Sequence, residues 1–138
     1  MPITLTIQEG LLSAEAEAAL FARLGETLLD VAGLAGNAFM MPNVIGTIHA
    51  EPKARLFAAG KPAAAAFVEL TLPEIALATA EAKQAFIERA TAVVEEAAGG
   101  RLDRQHIWVN IVYAAEGSWG IGGRAYGSDT LIAAIQGA

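Results

Sequence analysis

Proline stands at position 2, directly behind Met1 and at the head of an alternating stretch, Ile3-Thr4-Leu5-Thr6-Ile7-Gln8. If Met1 is trimmed, the chain begins with a secondary amine. A free α-amino group titrates near 8, so modest desolvation or a nearby cation leaves it unprotonated and able to act as base or nucleophile near neutral pH. Many chains begin Met-Pro without such chemistry, so Pro2 takes its meaning from its surroundings. Other reactive residue types are sparse. There is no cysteine, hence no disulfide, thiolate metal site or catalytic thiol. His49 and His106 are far apart and lack metal-ligand spacing, so no metal is expected. Gly120-Ile121-Gly122-Gly123 has the wrong spacing for a dinucleotide fingerprint, and no helix of adequate length is expected behind it. The expectation is a site without a cofactor.

A reactive amine at a strand head needs a scaffold, and the hydrophobic pattern supplies one twice. Residues 2–8 alternate with the period of a strand that has two unlike faces. A helix follows, with Ser13 as N-cap, Glu15 and Glu17 at its positive end, Leu20, Leu24, Leu28 and Val31 on one stripe, and Gly33 and Gly36 as stop. A second strand reads from Asn43 to His49, and Phe57 to Pro62 reads as a turn. The order then returns: a strand from Phe67 to Leu72, a helix from Thr79 to Gly99-Gly100, a strand from Ile107 to Tyr113 and a turn at Trp119 to Gly123. Ser13 and Thr79 are 66 positions apart, as are Gly33 and Gly99. The fold class expected is α/β (α+β): one domain over residues 1–138, made of two tandem βαβ units, about 2–62 and 63–127. Right-handed crossovers place both helices on one face of a four-stranded sheet.

Composition sets the company this chain keeps. Of its 138 residues, 54% are apolar and 17% charged, leaner in charge than the roughly 25% of an average soluble domain. So small a domain cannot hide that much apolar surface alone, and a homo-oligomer that covers the second sheet face is expected. The Ala-rich runs are broken by charges too often to span a bilayer. Without a signal-peptide pattern, the cytoplasm is the expected compartment. A net charge of −6 with scattered Arg and Lys makes nucleic acid an unfavourable partner.

The Met-Pro strand, the βαβ unit of about sixty residues and the Trp119-Gly120-Ile121-Gly122-Gly123 hairpin together resemble the tautomerase superfamily in its fused, two-unit form. The resemblance covers nearly the whole chain. Asp103 to Ile111 is similar to the last-strand entry of the cis-3-chloroacrylic acid dehalogenase group, and the hairpin to that of 4-oxalocrotonate tautomerases. Trp108 and Asn110, two apart on a strand, resemble an aromatic-x-Asn pattern of macrophage migration inhibitory factor. This resemblance implies a homotrimer with a small-molecule pocket at each subunit boundary, beside Pro2. It implies that the neutral prolyl nitrogen moves a proton on a keto-enol substrate. Phe39, Met40, Phe67 and Trp119 are candidates for an apolar wall, although the first three read foremost as core packing and Trp119 as pocket. Asn110 is a candidate donor to an enolate, or a strand amide satisfied by backbone.

Departures from the family pattern narrow the chemistry. The arginine that 4-oxalocrotonate tautomerases place after the first strand is Leu11 here, and the one at the start of the last strand is Trp108. The paired arginines of the dehalogenases and malonate semialdehyde decarboxylases are replaced by Pro73-Glu74-Ile75-Ala76, their water-activating glutamate falls near Ile121 and their helix histidine near Val31. Hydration, dehalogenation, decarboxylation and a dicarboxylate substrate are therefore disfavoured. A carboxylate would still want one cation, for which Arg124 is the first choice and Arg55 the second, with Lys53 and Lys61 nearby. Two functions follow as expectations: a cofactor-free isomerase acting on a small aromatic or otherwise apolar 2-oxo acid, or a non-catalytic trimeric binding or interaction module. Met1 decides between them, since its retention blocks the amine.

Overall fold

Alternation along Pro2–Gln8 (β1) sends Ile3, Leu5 and Ile7 into the interior, where all three are fully buried, and leaves Thr4, Thr6 and Gln8 on the other side. In the computed structural model, which describes residues 1–138, the same two-faced pattern recurs. It governs Ala66–Pro73 (β5) and Ile107–Ala114 (β6), with Ala66, Val68, Leu70 and Leu72, then Ile107 and Val109, facing inward. Ile45–Glu51 (β2) completes a four-stranded mixed sheet in the order β2-β1-β5-β6. β1 and β2 are parallel, β5 and β6 are parallel, and the two pairs meet antiparallel along β1 and β5. Each parallel pair brackets one helix, as a βαβ unit requires.

Both helices lie over one sheet face. The first, Ala14–Val31 (α1), is capped by Ser13, whose hydroxyl accepts from the Ala16 N–H. The second, Ala80–Ala98 (α2), is capped in the same way by Thr79 and closed by Gly99 in the left-handed conformation. Leu20, Leu24 and Leu28 of α1 and Phe86, Ala90 and Val94 of α2 join the inward strand residues in a single core. At the C-terminal end of α2, Glu95 and Glu96 are more than a solvated end: they pair with Arg104 and Arg23. These exposed ion pairs contribute little stability. No helix is long and apolar enough to cross a membrane.

Each unit ends in a tight hairpin. Phe57–Ala58 (β3) pairs with Lys61–Pro62 (β4), and Trp119–Ile121 (β7) pairs with Arg124–Tyr126 (β8). Their two-residue turns, Ala59-Gly60 and Gly122-Gly123, have positive φ throughout, the geometry that matches strand twist. One expectation fails beyond the second hairpin. A third helix, Ser128–Gln136 (α3), follows it and buries Leu131. Absence of a helix therefore does not exclude a dinucleotide loop. The turn itself does, because Gly122 and Gly123 join two antiparallel strands rather than a strand to a helix.

The sheet face away from the helices is open. Trp108, Val112, Phe67 and Ile45 are all substantially exposed there, beside Thr4, Glu69 and Asn110. On the exposed edge strand β2, Gly46 is paired with Ile3, and a β-carbon at Gly46 would lie 1.8 Å from the Ile3 carbonyl oxygen. Gly46→Ala must therefore push β2 off β1. The expected cost is about 3 kcal/mol, the upper end for overpacking, read from urea denaturation. Gly120→Ala, which meets nothing within 4 Å, serves as the neutral control.

Candidate active site

Pro2 opens β1, where the lack of an N–H costs the sheet nothing. Met1 continues the inward series of Ile3, Leu5 and Ile7 and is only 3% exposed. Its amine donates to the Asn43 carbonyl. Two cavities meet at this residue. On the open-face side, a cleft of about 390 Å³ is lined by Pro2, Ile45, Thr71, Trp119, Gly120 and Ile121. On the helix side, a slot of about 180 Å³ is walled by Leu34, Met40, Ile75, Leu77, Leu131 and Ile135. The nitrogen of Pro2 is bonded to Met1, so excision of Met1 exposes that nitrogen where cleft and slot join.

Trp119 reaches the cleft because the second hairpin folds back to the start of β1. It is 7% exposed, and its indole N–H is the buried side-chain polar group without a partner. An unpaired buried donor costs about 1–3 kcal/mol, so it marks either strain or a missing acceptor. The slot has a strained wall of its own. Leu77 is buried at φ +48, a left-handed conformation that disfavours a leucine. The Tyr113 hydroxyl holds that loop by donating to the carbonyls of Ala76 at 2.9 Å and Leu77 at 3.0 Å. α3 closes the slot from above. Its first turn is tied to Glu116, whose carboxylate accepts from the Ser128 N–H and hydroxyl and is held below the usual range by those bonds. Its last turn is tied by the Asn37 amide to the Ile135 carbonyl at 2.9 Å.

Of the other expected site residues, only Met40 lies at this site. Phe39 packs against the Tyr126 ring at 6.0 Å, and Met40 serves as a slot wall. Trp108 and Asn110 share the open face of β6, as their spacing requires, but Ala114 is the β6 residue at the cleft. Asn110 is thus about 13 Å from it along the strand and Trp108 about 20 Å. Trp108 instead joins Phe57, Phe67 and His106 around a separate cleft of about 410 Å³ beside the first hairpin. The internal repeat thus yields two comparable clefts, one with an amine and one without. Neither Arg124 nor Arg55 lines the Pro2 cleft or slot. Arg124 lies over the Tyr126 ring at 4.9 Å, and Arg55 is exposed in the short helical turn Lys53–Arg55. The most voluminous groove, about 650 Å³ between α1 and α2, is not a better candidate: of its charged groups Arg89 pairs with Asp30 at 2.6 Å and Arg23 with Glu96, and it holds no buried polar group without a partner. No cluster of three or more His, Asp or Glu side chains is placed to hold a metal ion.

This architecture is the fold of the tautomerase superfamily. No protein-family model matches the chain, and no curated protein sequence does. Solved structures match over nearly the full length. One is the fused 4-OT Q0, a wild-type symmetric trimer, with TM-score 0.76 and 21% identity over 95% of this chain and 98% of that one. Another is N1, a member of the cis-3-chloroacrylic acid dehalogenase family, with TM-score 0.76 and 20% identity over 91% of this chain and 82% of that one. A third is macrophage migration inhibitory factor from Toxoplasma gondii, with TM-score 0.73 and 13% identity over 91% and 100%.

Burial pushes the Met1 amine down from 8.0 to about 6. Between those values the unfolded chain binds more protons than the folded one. Stability of the Met1-bearing protein should therefore be full above pH 8 and fall as pH drops through 6. With part of the amine still screened by solvent, the expected change is about 1 kcal/mol. Thermal unfolding from pH 5.5 to 8.5 measures it, and acetylation of the amine should abolish the dependence in this window.

Proposed function

We propose that the protein is a cofactor-independent tautomerase in which Pro2, once Met1 is removed, is the general base for a small 2-oxo acid. The observation that carries this reading is the junction of cleft and slot at the Pro2 nitrogen, in a cleft also lined by Trp119, whose buried indole N–H lacks an acceptor. The amine one residue upstream is already held near 6 by burial, so this corner of the fold favours a neutral amine at pH 7.

The chemistry is a proton transfer in two halves. The Pro2 lone pair takes a proton from C3 of the 2-oxo acid. The C–H electron pair becomes the C2=C3 bond, and the carbonyl pair moves onto oxygen. The Trp119 indole N–H donates to the oxygen as negative charge develops there, which satisfies both partners. The prolinium then returns its proton to oxygen to give the enol, and the reverse sequence ketonises an enol. In a homotrimer, the exposed face bearing Ile45, Phe67, Trp108 and Val112 is covered by neighbours. Trp108, Asn110 and one of Arg124 or Arg55 then complete a boundary pocket from an adjacent subunit, with the arginine facing the carboxylate. The trimeric state of the fused 4-OT structures supports that assembly.

Met1 itself favours a second reading, a trimeric ligand-binding or interaction protein without catalysis, because its side chain is buried and its amine is hydrogen-bonded. Intact-mass spectrometry of protein from the native host separates the two, with retained Met1 supporting the second. For protein that begins at Pro2, ketonisation of enol-pyruvates should be followed by ultraviolet absorbance. Activity should rise with pH to a plateau, with a midpoint below the ordinary α-amino value of about 8. Pro2→Ala should abolish it, and full activity in that variant would sink the proposal. Trp119→Phe should lower kcat about 10²-fold with little change in KM, the scale of one lost oxyanion donor. Light scattering should give a particle of three 14.3 kDa chains.

A further inference from the structure

We infer that the slot beside the Met1 side chain, together with the space that side chain vacates, is the site for the substrate's tail, and that the tail is a straight aliphatic chain. This inference rests on the reading of Pro2 as the base and adds the substrate class. Three observations carry it. First, Met1 shows what fits: an unbranched, apolar chain of four heavy atoms lies there almost fully buried, with about 180 Å³ still open beside it. Second, the walls are aliphatic, from Leu34, Met40, Ile75, Leu77, Leu131 and Ile135, and no Lys, Arg, His, Asp or Glu lines the slot. A charged or hydroxylated tail would be desolvated there without a partner. Third, the space vacated by Met1 starts one bond from the Pro2 nitrogen, so a chain attached at the reacting carbon can run from the cleft into the slot without a turn.

The slot is also held open by fixed parts. Tyr113 pins the strained Leu77 loop on one side. α3, anchored through Glu116 and Asn37, supplies Leu131 and Ile135 on the other. A preformed aliphatic slot discriminates by chain length. Each methylene moved from water into it should raise kcat/KM about fourfold until the slot is filled, which lies beyond the four heavy atoms of Met1 because about 180 Å³ is open beside them. A phenyl ring is wider than the chain that the slot demonstrably accepts, and should gain less than a straight chain of equal carbon count.

The test uses protein confirmed by mass to begin at Pro2, and follows exchange of the C3 protons for deuterium by NMR. The substrates are pyruvate, 2-oxobutanoate, 2-oxohexanoate and 2-oxooctanoate, with phenylpyruvate as the ring. The expected result is a rise of about fourfold per methylene from pyruvate through 2-oxohexanoate to 2-oxooctanoate, with phenylpyruvate below 2-oxooctanoate. Leu131→Phe and, as a second variant on a different element, Ala76→Leu should each flatten the series. Pro2-dependent exchange at equal rates along the series, or a preference for phenylpyruvate, would overturn the tail site and leave the base intact. Loss of exchange with every substrate, or exchange that survives Pro2→Ala, would overturn the base. Binding tests the slot separately from the base. Chain-length-dependent thermal stabilisation by the same acids should persist in Pro2→Ala and vanish in protein that keeps Met1, and its absence from Pro2→Ala would overturn the slot.

Discussion

The register of β1 between β2 and β5 is the constraint on which the site depends. Ile3, Leu5 and Ile7 are each completely buried, and a slip of one residue would exchange them for Thr4, Thr6 and Gln8. At about 1.5–3 kcal/mol for each large side chain returned to water, the slip costs several kcal/mol. The residues after Pro2 therefore decide where it stands. They also decide that Met1, one step back in the same alternation, turns toward the helices while Pro2 turns toward the open face. Gly46 tightens the same register, since its hydrogen is all that the Ile3 carbonyl tolerates.

Around that fixed point, polar and apolar demands are divided between two layers. The helix side provides a dry wall in which an alkyl chain is stable and a buried amine loses its proton readily. The hairpin side provides the one buried donor without an acceptor, Trp119. A proton-transfer site needs both at once, because the base must stay neutral in the resting state while the oxygen must be met by a donor as charge builds. Charged side chains are absent from both cavities, so the desolvation is not undone by a counter-ion within the chain.

The parts of this design that follow a period were legible in the chain. Alternation gave three principal strands, the 3–4 spacing gave α1 and α2, and Ser13, Thr79 and Gly99 marked their ends because capping is a local event. Trp119 was legible through its hairpin. α3 was not, although Ser128-Asp129 followed by Leu131, Ile132 and Ile135 carries a helix start and an apolar stripe. Nine residues give that stripe little more than two turns, too short for a period to stand out behind so many glycines. The slot had no local signal at all: Met1 and Leu131 meet only because β1 and α3 are brought together by everything between them. Trp108 and Asn110 share a face, as their spacing demanded, yet spacing along β6 says nothing about how far that face lies from Pro2.

Joining two βαβ units in one chain has a consequence for the second. Where β1 follows directly on Met1, the first strand of the second unit follows Ala65, and Ala65 and Ala66 are both buried and both locked in peptide bonds. An amide nitrogen has no basic lone pair, so the cleft ringed by Phe57, Phe67 and Trp108 can never recover a prolyl base while the linker is intact. With Pro2 read as the base, one chain would carry a single reactive amine for its two βαβ units, and the aromatic lining of the second cleft would serve contact alone.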